Sequence, residues 1–227
     1  MLKYRMKFKI LTIFPEFFEH ALNFSLLKRA QEKGVIDFEI HNLRDWAKPR
    51  TVHQMVDDRP YGGGAGMVMM VEPLYRAIKE LKDENTVSII FSPKGQVYNQ
   101  PDAEKFALAG KDLLIIAPHY EGFDERVLNW IDYELCLGDY VLTGGEIPAL
   151  AVIDSVARLI PGVVGNEVSV QTESFSKLGE GVRNLEHAQY TRPELFVDDE
   201  GNEHRVPDVL LSGNHKKIEE WRSDSSK

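Results

Sequence analysis

Residues 133–150 read YELCLGDYVLTGGEIPAL. Leu135, Cys136 and Leu137 make a short continuous apolar run, the pattern of a strand buried on both faces. Ile147–Ile160 then carries apolar residues at helical spacing. Between strand and helix stand Gly138, Gly144 and Gly145, with the acids Asp139 and Glu146. Glycine loses more conformational freedom on folding than any other residue, so this cluster needs a reason. Either the chain turns sharply here, or something comes very close to the backbone.

Working outward, the pattern repeats. Lys7–Ile13 reads as a strand, and Pro15 starts a helix that should run to about Lys33, where Gly34 stops it. Phe38–Asn42 reads as a second strand, and Arg44–Gly66 as a long loop with a glycine cluster. Helices are expected over Glu72–Lys82, Asp102–Leu108 and Asp124–Ile131, and strands over Val87–Ser92, Leu113–Ala117 and Tyr133–Leu137. Strands alternating with helices mean βαβ units and a mainly parallel sheet, hence an α/β fold. The pattern stops at Pro161–Gly162. Residues 163–190 lack apolar periodicity and read as a linker, expected to be mobile; the tail regains apolar content and a short helix near Asn214–Arg222. The expected organisation is a domain over 1–163, a linker over 164–190 and a small helical domain over 191–227.

The chain has 227 residues, 43% of them hydrophobic and 28% charged, ordinary values for globular protein. No apolar run reaches the ~20 residues of a membrane span. Met1–Ile10 has neither the apolar core nor the cleavage site of a secretory signal. The single cysteine, Cys136, excludes an internal disulfide and a multi-cysteine zinc site; its apolar neighbours predict a buried structural thiol in a reducing cytoplasm. Net charge is −9, which argues against a nucleic-acid partner. Its distribution is uneven: residues 1–50 hold ten Lys/Arg against six acids, so this part is +4 and the remainder −13. On charge alone a solvated mixed surface is the simpler reading, although a positive end can bind phosphate.

The first βα turn, TIFPEFFEH, lacks G-x-G-x-x-G, and no G-x-x-x-x-G-K-[ST] occurs anywhere. Glycines cluster later, in PYGGGAGM (60–67), SPKGQ (92–96), PHYEGFDER (118–126) and GDYVLTGGE (138–146). Three of these follow strands, on the sheet edge where open α/β proteins bind ligands. Taken singly each is an ordinary turn; together they point to a ligand held by backbone groups.

The stretches TIFPEFF, VDDRPYGGGAGM, SPKGQ, YEGFDERV, GDYVLTGGE, IDSVARLIPGV, YTRPE and VLLSGNH, in this order, resemble the bacterial tRNA (guanine-N1)-methyltransferases of the SPOUT superfamily, over nearly the whole chain. The resemblance implies a sheet tied into a deep trefoil knot, a homodimer with its active site at the subunit interface, and methyl transfer from S-adenosylmethionine to N1 of the guanine 3′ of the anticodon. It places the cofactor wall on Ser92, Pro93 and Gly95, on Pro118, Tyr120, Glu121 and Gly122, and on Cys136, Leu137, Gly138, Tyr140, Leu142, Gly144, Gly145 and Pro148. Glu121 would face the positive end of the cofactor.

In the family the general base is usually an Asp of the linker. Here the linker reads Thr172-Glu173-Ser174-Phe175, so Glu173 takes that place with one more methylene. Arg158 maps to the cation that stabilises charge on the guanine. RNA contacts would fall on Asp57, Gly66, Arg192, Asn214, His215 and the basic residues of the first 50. Read without the family, Glu121 and Glu146 are helix-start carboxylates, Glu173 a solvated linker acid, and Gly213-Asn214 a helix end and cap. Pro118-His119 stands where the family commonly has Gly-Arg, and Ala65 replaces a frequent proline. No metal-ligand motif is present; a Mg2+ dependence comes only from the resemblance. Two rivals stay open: an RNA-binding module without catalysis, and a related SPOUT enzyme with another RNA target.

Overall fold

The computed structural model describes residues 5–48, 55–164, 174–175 and 185–225. Contacts divide the chain into two compact units, Met1–Gly165 and Asn166–Lys227. In the first, β1 (Met6–Thr12), β2 (Ile36–Asn42), β5 (Thr86–Val97), β6 (Asp112–Ile116) and β7 (Tyr133–Cys136) form a five-stranded sheet of order β2-β1-β6-β5-β7. Every pairing in it is parallel. The two-residue strands β3 (Asp57–Asp58) and β4 (Val68–Met69) pair antiparallel beside it.

Strand periodicity distributes the core. Met6, Phe8 and Ile10 of β1 and Leu113 and Ile115 of β6 point to one face. There they meet α1 (Pro15–Leu22), α2 (Ser25–Glu32), α4 (Gln100–Leu108) and α5 (Glu146–Ala157) through Phe18, Leu22, Ala30, Phe106, Val152 and Val156. Leu11, Leu114, Ile116 and Ile90 point to the other face, against Leu74, Ala77 and Ile78 of α3 (Val71–Leu81). Successive side chains alternate across a strand, so Leu113–Ile116 are all fully buried. Each such side chain stabilises the fold by roughly 1.5–3 kcal/mol.

The observed elements depart from the pattern reading in four places. The helix expected from Pro15 to Lys33 breaks into α1 and α2: Asn23 Nδ2 donates to Glu19 O (2.8 Å), Gln31 Nε2 donates to Leu22 O (3.0 Å), and Ser25 turns the chain with φ +47°. Side chains thus supply partners to carbonyls near the break. The loop expected over Arg44–Gly66 opens with a 3-10 turn, Leu43–Trp46, and contains β3. The helix expected over Asp124–Ile131 is also a 3-10 turn, Glu125–Trp130, capped by Asp124, which accepts from Arg126 N at 3.0 Å.

The tail is not purely helical. β8 (Leu195–Val197) and β9 (Glu203–Arg205) form a hairpin ahead of α6 (Asp208–Leu211) and α7 (His215–Ser225). Asp198 closes its turn by accepting from Asn202 N (2.8 Å), Glu200 N (3.0 Å) and His204 Nε2 (3.0 Å). These bonds, that of His204 first, hold its carboxyl down at about 2. Among the described residues of this second unit no hydrophobic side chain is buried.

The β5–β7 ladder carries the feature that shapes the ligand edge. Phe91 and Gln96 both register with Leu135, so residues 92–95 loop out of the ladder. Gly95 lies flush on β7: a Cβ there would stand 2.6 Å from Leu135 C and 2.7 Å from Glu134 O. Gly95→Ala should therefore push β7 away and cost about 1–3 kcal/mol, as overpacking against backbone does. A drop in the urea midpoint without a change in m-value is the expected readout.

Candidate active site

Strands β6, β5 and β7 are neighbours and parallel, so their carboxyl ends lie on one edge. The loops that leave them, beginning at Ala117, Ser92 and Leu137, converge there on a cleft of about 280 Å³. This is the position at which open α/β sheets bind ligands.

Backbone contact holds the loops together. Gly145 N donates to Pro118 O at 2.6 Å. A Cβ at Gly145 would lie 2.7 Å from Pro118 N and 2.8 Å from Ala117 Cα, so only glycine fits. At Gly144 a Cβ would collide with Glu146 Oε2 and stand 2.5 Å from His119 Nδ1. Gly145 is therefore there for close approach of backbone to backbone, whereas Gly144 leaves its place to the Glu146 and His119 side chains and Gly138 faces the Tyr140 ring. Ser92 Oγ is hydrogen-bonded to Glu134 and accepts from Lys94 N at 3.0 Å, which fixes the 92–95 loop at the cleft rim.

Of the expected cofactor wall, every residue lines this cleft except Gly95, which faces the backbone of β7 instead. Cys136 is part-exposed rather than buried; it lines the cleft and its Sγ donates to Gly138 O at 3.2 Å. A run of apolar neighbours does not bury a residue at the open end of a strand. Tyr120 holds a left-handed φ of +62°, an arrangement that non-glycine residues adopt rarely and mostly at functional positions. Burial pushes its hydroxyl pKa up, the Asp57 carboxylate adds to this, and Arg44 opposes it. Asp57, on β3, thus belongs to the surroundings of the cleft.

Position in the chain, rather than spacing, marks one acid next to the lining residues. Glu146, the first residue of α5, is 6% exposed and its Oε1 has no hydrogen-bond partner. Its Oε2 is 3.4 Å from Nδ1 of His119, a residue that lines the cleft. An acid just after two glycines at a helix start was the available signal.

The other expected residues fall elsewhere. Arg158 is half-buried at the C-terminal cap of α5, its N–H bonded to Asp154 O at 3.2 Å. Arg192, Asn214 and His215 are exposed residues of the second unit. Asn214 caps α7, accepting from Lys217 N at 3.2 Å. Glu173 lies outside the described residues, as does most of 164–190.

Among the described residues that line the cleft there is no lysine or arginine. A site for a diphosphate or triphosphate needs such donors or a phosphate loop; this one offers backbone groups, apolar walls and the Glu121 carboxylate. Also among the described residues, no three His, Cys, Asp or Glu side chains are grouped to hold a metal ion, and no helix is long and apolar enough to cross a membrane.

Fold and cleft define an α/β protein whose backbone loops form a cleft at the carboxyl edge of a parallel sheet. Comparison with known proteins narrows that class. A family model described as tRNA (Guanine-1)-methyltransferase TrmD matches residues 6–227. A tRNA (guanine-N(1)-)-methyltransferase of Carboxydothermus hydrogenoformans is 51% identical over 222 residues, 97% of this chain and 83% of the relative. That of Clostridioides difficile is 48% identical, covering 97% of this chain and 92% of the relative, and that of Dictyoglomus turgidum 47%, covering 96% and 83%. The chain belongs to the tRNA (guanine-1)-methyltransferase family.

The part-exposed thiol is directly checkable. Cys136 should react with a disulfide-exchange reagent in the native protein, at one equivalent per chain. A thiol silent until denaturant is added would return it to the core.

Proposed function

We propose that this protein transfers a methyl group from S-adenosylmethionine to N1 of the guanine 3′ of the anticodon in tRNA. The observation that carries the reading is the cleft whose described lining residues include no lysine or arginine, at the carboxyl ends of β6, β5 and β7, in a chain of this family. The fit to the cofactor follows from chemistry. An adenosine carries no phosphate and suits backbone N–H and C=O groups between apolar walls such as Leu137, Leu142 and Pro148. A sulfonium cation suits the Glu121 carboxylate. When bound, S-adenosylmethionine supplies a methyl group already activated as an electrophile.

The chain's own residues have the harder task, because guanine N1 carries a proton. Glu173 takes that proton as general base while the N1–methyl bond forms. Arg158 stabilises the negative charge that develops toward O6. Gly145 lets the 138–145 loop close on Pro118 and so shapes the wall that the cofactor meets. Asp57, Gly66, Arg192, Asn214 and His215 contact RNA, with the guanine turned out of the stack so that N1 is reached. The close backbone contacts at Gly95 and Gly145 are what threading one segment through another requires, and they support a trefoil knot within 1–163. The exposed apolar side chains of the 191–227 domain support a homodimer in which the 164–190 linker brings Glu173 to a shared site. A requirement for Mg2+, and a cytoplasmic site of action, belong to the same reading.

Labelled cofactor and unmodified tRNA test it. After digestion the label should be found in 1-methylguanosine; label in a 2′-O-methyl nucleoside or another base would overturn the assignment. Glu173→Gln should bind S-adenosylmethionine normally and lose roughly 10²–10⁴-fold in single-turnover rate, since an amide of the same size cannot accept the proton. A rate near wild type would remove Glu173 from the chemistry.

A further inference from the structure

The glycine loop 60–67 is joined to the cleft through its own backbone. Glu121 N donates to Met67 O at 3.0 Å, Met69 N to Gly122 O at 2.9 Å, and Asp124 N to Met69 O at 2.9 Å. Met69 also forms a parallel bridge with Phe123. At Gly66 the contact becomes steric. A Cβ there would lie 2.6 Å from Glu121 Oε1 and 2.9 Å from its Cδ. The Glu121 side chain therefore occupies the volume that any side chain at 66 would take. Gly62 is the instructive contrast: its φ of +85° matches the +79° of Gly66, yet a Cβ there would meet nothing within 4 Å. Both glycines satisfy the same backbone demand, and only one carries a neighbour on its bare Cα.

We infer that Gly66 is a positioning residue: its missing side chain is the bed on which Glu121 lies, and this contact holds the Glu121 carboxylate at the cofactor cleft. Glu121 is exposed, so a long carboxylate there has many rotamers open to it unless a neighbour selects one. The backbone bonds fix where Glu121 begins, and the bare Cα of Gly66 fixes where its head can rest. The inference rests on the reading of Glu121 as part of the S-adenosylmethionine wall. It assigns Gly66 a task toward the cofactor, distinct from contact with RNA.

Calorimetric titration of S-adenosylmethionine without RNA separates these roles. Gly62→Ala should bind within about twofold of wild type, since it adds only backbone strain. Gly66→Ala should bind roughly tenfold more weakly, about 1.4 kcal/mol. In a Glu121→Ala background Gly66→Ala should cost nothing further, because the two changes act on one contact. Full additivity, or Gly66→Ala binding like Gly62→Ala, overturns the inference. Glu121→Asp keeps Gly66 and the charge but withdraws the carboxylate from its bed, so it tests the same point should Gly66→Ala fail to fold. It should lose most of what Glu121→Ala loses; binding like wild type overturns the inference. A wild-type protein that does not bind S-adenosylmethionine refutes the cofactor reading itself, whereas wild-type binding with full additivity refutes only the role of Gly66.

Discussion

The contact on which the rest of the first unit depends is the flush approach of Gly145 to the Ala117–Pro118 backbone. Its N–H bonds Pro118 O at 2.6 Å, and no Cβ fits in the gap. That contact seats the start of α5 against the end of β6. It brings the 138–145 loop beside the 118–122 loop, and the looped-out 92–95 segment closes the third side. Gly95 repeats the arrangement one strand away, against β7. Each contact exchanges the conformational cost of glycine for a backbone-to-backbone distance that other residues cannot reach. The cleft is what remains between three loops locked in this way.

The electrostatics of the cleft follow from the same economy of side chains. Where backbone forms the wall, few positions are left for charged groups: among the described lining residues the one carboxylate is Glu121, and His119 meets the buried Glu146 beside the cleft. A cleft so composed suits a cationic nucleoside better than a phosphorylated one. Basic residues are concentrated instead in the first 50 positions, ten Lys/Arg against six acids. The second unit carries exposed apolar side chains, among them Phe196 and Val197 of its hairpin and Leu211.

Alternation of strand and helix and the parallel sheet were legible from residues 1–160, because burial on two faces leaves continuous apolar runs such as Leu113–Ala117. The wall of the cleft was legible as glycine clusters, and the family resemblance assigned its residues. Three kinds of feature were not. Side-chain caps broke α1 from α2 at Asn23, a local hydrogen bond that apolar spacing does not record. The 3-10 turns and the hairpin Leu195–Arg205 are too short to impose a period. Cys136 read as core because its neighbours are apolar, yet the strand ends beside it and opens it to the cleft.

The sequence by itself determined which strands of the central sheet exist and which loops carry glycine, since periodicity and backbone freedom are properties of neighbouring residues. Only the tertiary structure decided that β6, β5 and β7 stand side by side, so that three loops distant in the chain share one edge. It also decided what each glycine is for. Gly95, Gly145 and Gly66 look alike in sequence, but one faces β7, one Pro118 and one the Glu121 side chain. The purpose of a missing side chain is set by the atom that takes its place, and in all three cases that atom comes from a segment far along the chain.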